Sequence, residues 1–341
     1  MSYSAGNAEP PGLIVLGAIF AVLSAASFAL NNAMVRRGVV KGTPLQAMAI
    51  SVPLGVVCFL PLALVLGELA RLPQFPKPAV AWMAGLGVLH FVIGRYCNFR
   101  ASQVAGVNLT APVVQLQVVI TMVLAVIVLH EPCTVLQMIG GVLILTGSLL
   151  TQRQSMRPRK ASAGDAATSL FVPRYLAGYI FASLAAIAYG TTPVMARFAL
   201  EHTGPSTGVL GGLIAYVAAT AVAALALASP AVRSNVFALK RENARWFVYS
   251  GVFVAMAQGF FFAAVAVAPV MLVMPLLQLS LAFRLLFSTW LNPDHEVFGP
   301  LVIAGVATSV AGALTVSIDT NLILDALAVP QALADVLRWR V

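Results

Sequence analysis

Nine polar side chains stand inside runs that otherwise dissolve in lipid: Asn31 and Asn32 in FALNNAM, Arg95 and Asn98 in GRYCNFR, Gln115 in PVVQL, Tyr189 in AIAYGTTP, Gln258 in AMAQGF, Gln278 in PLLQL and Arg284 in LAFRLLF. A polar group costs free energy in a hydrocarbon layer, so it stands there where it meets a partner, water or a ligand. Guanidiniums, carboxamides and a phenol can hold an anionic group and hydrogen-bond its neighbours. No Asp or Glu lies in the middle of these runs; Glu68 and Glu131 lie at their ends. The chemistry implied is ligand binding.

Catalysis and metal binding find no support. GPSTG at 204–208 matches the G-x-S-x-G elbow, but that motif needs a strand before it and a helix after it, and here it joins two apolar runs through Pro205. His90, His130, His202 and His295 lack metal-ligand spacing, and Cys58, Cys97 and Cys133 are an unpaired set in or beside apolar runs. No metal and no cofactor is expected, and the protein is not expected to be an enzyme.

The elements that must position these residues follow from composition. Of 341 residues, 60% are hydrophobic and 9% charged, against about 25% charged in an ordinary soluble domain. The chain is therefore all-α and polytopic in a membrane. Its net charge of +9 is concentrated in short connections, where membrane orientation explains it and nucleic-acid binding does not. A span needs about 20 residues, which predicts ten: 13–35, 45–67, 80–100, 109–129, 134–152, 175–197, 207–228, 246–267, 270–291 and 297–318. Residues 1–12 contain no Lys or Arg, so the first run reads as a span and not as a signal peptide. The basic stretch 153–174 divides the spans five and five, and 319–341 is a mixed tail that can lie along the interface.

The two halves repeat. Pro112-Val-Val-Gln115-Leu recurs as Pro275-Leu-Leu-Gln278-Leu at an offset of 163, Arg36 and Arg197 close spans 1 and 6, and Gly141 matches Gly305. With five spans per half the second half enters from the opposite face. The expected architecture is two inverted five-helix repeats, 13–152 and 175–318, with a site near the midplane between them. Asn31 and Asn32 then correspond to Thr192 and Pro193, and Arg95 corresponds to Gln258. The prolines free backbone carbonyls near Gln115 and Gln278, so each glutamine either satisfies such a carbonyl or binds a ligand.

The stretch from GRYCNFR to IGGVLILTGSLL resembles the end of an EamA repeat of the drug/metabolite transporter superfamily. It carries a small-residue turn at Ala105 and Gly106, Pro112 in span 4, Glu131 closing it, and Gly140, Gly141 and Gly147 in span 5. The resemblance extends over about 13–318, with the acidic closure of the second half spread over Asp294 to Glu296. It implies a ten-helix permease or exporter of small metabolites, working by alternating access in a bacterial inner membrane. Small multidrug exporters of the same superfamily use a Glu in their first helix, and span 1 has none, which argues against proton-coupled export of cationic drugs.

Within span 3, Arg95 lies about 22 Å from the start at about 1.5 Å per residue, and Arg100 about 30 Å, at the far interface. Arg95, Asn98 and Ser102 share a helical face; Arg100 is expected to snorkel to headgroups. The nine residues above form the expected substrate site, with Arg95 taking an anionic group of an amino-acid-like or other carboxylate-bearing compound. The partners implied are that small molecule and membrane lipids. The alternatives are a lipid flippase or an integral-membrane enzyme. Cations in the connections divide 12 against 5 between the two faces, with the termini on the poorer one, so positive-inside logic puts the termini outside.

Overall fold

The structure, a computed structural model, describes residues 11–39, 43–105, 107–155, 174–201, 203–291, 300–317, 320, 323–324 and 329–339. Among these no strand occurs; every major element is a helix, as expected of a backbone that must satisfy its own polar groups in lipid. In order they are α1 (Pro11–Val39), α2 (Pro44–Val65), a 3-10 turn (Glu68–Gln74), α3 (Lys77–Ala105), α4 (Val107–Gln115), α5 (Gln117–Leu129), α6 (Val135–Ser155), α7 (Tyr175–Leu200), α8 (Thr207–Ala226), α9 (Pro230–Phe237), α10 (Arg241–Val267), α11 (Val270–Leu277), α12 (Ser280–Leu291), α13 (Pro300–Ser317) and α14 (Gln331–Arg338). Seven helices are long and apolar enough to cross a membrane; at the other three predicted positions the apolar helices, Val135–Gly147, Val270–Phe283 and Pro300–Val316, are shorter. The linker core and Asp294 to Glu296 lie outside the described residues.

Local chemistry sets several boundaries. Thr43 caps α2 reciprocally: its hydroxyl accepts from the Gln46 N–H while the Gln46 side chain accepts from the Thr43 N–H, and Pro44 fills the first helical position. The fourth and ninth predicted spans are each broken once, at Leu116 and at Gln278–Leu279, three to four residues after Pro112 and Pro275. Proline removes one donor and crowds the preceding turn; the breaks lie on the other side, within about one turn after each proline. The third span is wound as a π-helix over Val88–Gly94.

The three largest pairings are α6 on α13, α1 on α10 and α3 on α7, followed by α3 on α8, α2 on α10 and α2 on α8. The seam of α6 and α13 is backbone against backbone. A Cβ on Gly147 would lie 2.4 Å from the Gly305 carbonyl oxygen, and one on Gly312 would lie 2.6 Å from that of Gly140, so small residues at the seam are required for this approach. A continuous apolar core seals one end of the bundle. It includes Phe59, Met83, Leu86, Phe91, Leu200, Tyr216 and Phe262, and the whole stretch Val265–Ala268.

Candidate functional site

A cavity of about 390 Å³ lies toward the end of the bundle where α1 finishes and α2 begins. Eight of the nine residues singled out in the sequence line it: Asn31, Asn32, Arg95, Asn98, Gln115, Tyr189, Gln258 and Gln278. Arg284 lies on α12; its side chain is outside the described residues. Ser102 is not part of the wall. Its hydroxyl donates to the Asn98 carbonyl one turn back at 3.0 Å, so the predicted stripe ends at Asn98.

Arg95 is half-buried. Its Nη1 donates to the Ser51 hydroxyl at 2.9 Å, and its guanidinium carbon lies 5.6 Å from the centre of the Phe91 ring. Phe91 in turn stacks on Tyr216 with centroids 4.2 Å apart. A guanidinium over an aromatic face is held by the ring quadrupole, while its remaining N–H groups are left for the cavity. Among the described residues no Asp or Glu lines the cavity. Arg100, by contrast, is exposed and donates to Gln103 at 3.2 Å, consistent with its expected position at the surface.

Beside Arg95 runs a relay of neutral groups. Thr192 donates its hydroxyl to the Tyr189 carbonyl at 3.2 Å. It therefore accepts from His90 Nδ1 at 2.9 Å, which leaves His90 Nε2 to accept from the Gln258 amide at 3.2 Å. The ring of Tyr189 packs on His90, with centroids 4.8 Å apart, and Asn98 hydrogen-bonds its hydroxyl. This close approach of α7 to α3 depends on Gly94, where a Cβ would meet the Tyr189 ring at 2.8 Å. Asn31 accepts from Ser250 at 2.6 Å. Gln115 donates to Gln278 at 2.8 Å, so these two glutamines bond to each other and not to carbonyls freed by the prolines.

His90, Ser51 and Ser250 line the cavity without having been singled out in the sequence, while Thr192 and Pro193, the repeat counterparts of Asn31 and Asn32, line it as well. For His90 the cause is geometric. At 100° per residue, residues five apart face about 140° away from one another, which separates His90 from Arg95. The π-winding of 88–94 bonds i to i+5, and this turns both onto the cavity.

The opposite end is closed by a second polar cluster. Glu131, just past α5, accepts from the N–H groups of Val270 at 2.9 Å and Met271 at 2.8 Å, capping the start of α11. Burial pushes its carboxyl up from the ordinary range, and the Met271 and Val270 N–H groups oppose that shift. Arg197 corrects the sequence reading, which counted it among the loop cations. It is only 4% exposed, donates to the Val265 carbonyl at 3.0 Å and pairs with Glu201 at 3.3 Å, because its i+4 neighbour on the same helical face is a carboxylate. The tail helix α14 is amphipathic, with Ala334 buried and Leu333 and Val336 exposed. Beside it, Trp339 is exposed and its carbonyl accepts from Val135 at 3.1 Å.

Fold and hydropathy define a multi-pass helical membrane protein. Residues 15–153 match the sequence model of the EamA-like transporter family. A solved structure described only as "Crystal structure of protein" aligns over 93% of this chain and 98% of its own, with a TM-score of 0.65 and 20% identity, and shares the fold. Among curated proteins nothing matches the sequence.

Proposed function

We propose that this protein is a secondary transporter of small metabolites bearing an anionic group, either amino-acid-like or other carboxylate-bearing compounds. It works by alternating access in a bacterial inner membrane, and it is not an enzyme. The observation that carries this reading is Arg95. It is a cation turned into a cavity where no described residue places a carboxylate, and the serine and ring that steady it leave its charge uncompensated. An unpaired buried charge is costly, and an anionic cargo offsets that cost. Asn98, Tyr189, Gln258, Asn31 and Asn32 supply hydrogen bonds around it, and Arg284 is a second cation for the same role.

The proposed architecture is ten spans in two inverted five-helix repeats. Two features support it. The fourth and ninth spans break just after equivalent prolines, and the largest pairings are consistent with exchange of the halves. In that exchange α1–α10 becomes α7–α3 and α3–α8 becomes α10–α2, while α6–α13 and α2–α8 each map onto themselves. The exposed bands of Leu, Ile and Val on these helices suit a lipid surround.

The test is uptake of labelled small carboxylates into proteoliposomes holding the purified protein, with Arg95→Gln and Arg100→Gln compared at equal protein levels. Saturable uptake by the wild type, weakened by Arg95→Gln and unaffected by Arg100→Gln, is the expected result. Equal, small effects of both substitutions would remove Arg95 from the binding role.

A further inference from the structure

The bond between Gln115 and Gln278 joins residues that are each other's equivalents in the repeat register, 163 apart. Resting on the inverted-repeat, alternating-access reading above, we infer that this pair is a fixed pivot of the transport cycle, and that the contact of Glu131 with the start of α11 is a latch closed in one state only.

Symmetry supplies the physical reason. In a transporter built from inverted repeats, the second state is reached when the two halves exchange conformations. A contact between residue i and its own equivalent maps onto the same pair under that exchange, so the pair stays joined in both states, here with donor and acceptor interchanged. A contact between residues that are not equivalents maps onto a different pair and is lost from its original place. Gln115–Gln278 is of the first kind. It sits where both helices are already broken, at the end of α4 and between α11 and α12, so the half-helices on either side can tilt without breaking the bond at the joint. Glu131 with Val270 and Met271 is of the second kind, since the register pairs Glu131 with Asp294 and not with Val270. That contact lies at the sealed end, beside the buried Val265–Ala268 stretch. The relay from His90 to Gln258 is also of the second kind, because the register equivalent of Gln258 is Arg95. Opening the sealed end therefore dismantles that relay.

The two glutamines thus act on cargo by fixing where the halves meet. They are positioning residues, and an amide–amide bond suits a pivot. It carries no charge whose burial would differ between states, and each amide keeps a further donor or acceptor.

Cross-linking separates pivot from latch without knowledge of the cargo. In a background with Cys58, Cys97 and Cys133 replaced by alanine, an azide-bearing residue at Asn98, inert to thiosulfonates, reports access to the cavity through its labelling by a membrane-impermeant cyclooctyne added to either face of sealed vesicles. Unlinked protein should label from both faces. Joining Gln115→Cys to Gln278→Cys with a short bis-thiosulfonate should leave labelling from each face within about threefold of the unlinked rate. Joining Glu131→Cys to Met271→Cys should suppress labelling from one face at least tenfold, since a lock that biases two states by that ratio needs only about 1.4 kcal/mol. A pivot link that suppresses one face as strongly as the latch link overturns the inference while leaving alternating access in place. Unlinked protein that labels from one face only overturns alternating access itself, and the pivot with it. Glu131→Gln, which keeps the shape and loses the charge, gives an independent readout. It should raise labelling from the sealed face by about threefold, and no change in that ratio counts against the latch.

Discussion

Arg95 and Arg197 are both arginines inside the helical bundle, and they are satisfied in different ways. Arg197 is buried at the sealed end, with a carbonyl and a carboxylate within 3.3 Å. Arg95 is half-buried at the open end, with one hydroxyl and one aromatic face. The first arrangement closes on itself: charge, counter-charge and carbonyl belong to the same chain. The second has no carboxylate beside it among the described residues. Depth in the membrane alone does not separate the two arginines; what separates them is a resident anion at one and an adjoining cavity at the other.

That contrast can be broken experimentally. The largest effect should come from Arg197→Ala, which leaves the Val265 carbonyl and the partly buried Glu201 carboxylate uncompensated. A loss of about 2–3 kcal/mol is expected, read as a lower melting midpoint in detergent, and cargo affinity of the folded fraction should be unchanged. A variant that melts normally but transports poorly would reverse the assignment of the two arginines. Arg95→Gln comes next and should behave the opposite way. It should raise the apparent KM at least tenfold, about 1.4 kcal/mol, with the melting midpoint unchanged or raised, because an uncompensated cation has left the interior. His90→Ala should have a smaller effect. It removes the acceptor for the Gln258 amide and the donor to Thr192, so stability should fall by about 1 kcal/mol and KM should rise a few-fold. Arg100→Gln should have the least effect, since that side chain is exposed and bonds only to the Gln103 side chain three residues on; wild-type transport and melting are expected.

Much of the site was legible because polar residues in apolar runs have few explanations. Asn31, Asn32, Arg95, Asn98, Gln115, Tyr189, Gln258 and Gln278 were found by that criterion alone, and the fold gathers all eight around one cavity. The helices were legible from hydropathy; Pro112 and Pro275 marked weakened backbone bonding near the starts of the fourth and ninth spans, but the breaks themselves fall beyond them, at Leu116 and Gln278–Leu279. Thr192 was reached through the repeat register, as the counterpart of Asn31, but Ser51 and Ser250 were not distinguishable, since a hydroxyl in a membrane helix usually bonds to the preceding turn and leaves no trace in the sequence pattern. Arg197 was misread because it ends a span, where cations normally face headgroups; Glu201 at i+4 was the available signal. The role of Gln115 and Gln278 was open between carbonyl and ligand, and neither option anticipated that they bond to each other. That partnership depends on the meeting of the two halves, which no local window contains.

The π-wound turn at Val88–Gly94 has a further consequence when the third span is treated as a screw whose thread carries a phase. A wider turn holds one more residue than an ordinary turn, so everything downstream is set back by one step of rotation. Deleting a single residue within 88–94 would let the turn relax to the ordinary pitch, and the span would shorten by only about 1.5 Å. Membrane insertion and length would be nearly untouched, and the phase of the upstream residues relative to Arg95 would be nearly kept, because the ordinary turn needs one residue fewer. With a residue between them removed, His90 and Arg95 would stand four apart, about 40° from one another on an ordinary helix, and would still face the cavity together. Forcing the turn to ordinary pitch with all its residues kept would instead part them by about 140°, so the widening itself keeps the cation and the imidazole in step.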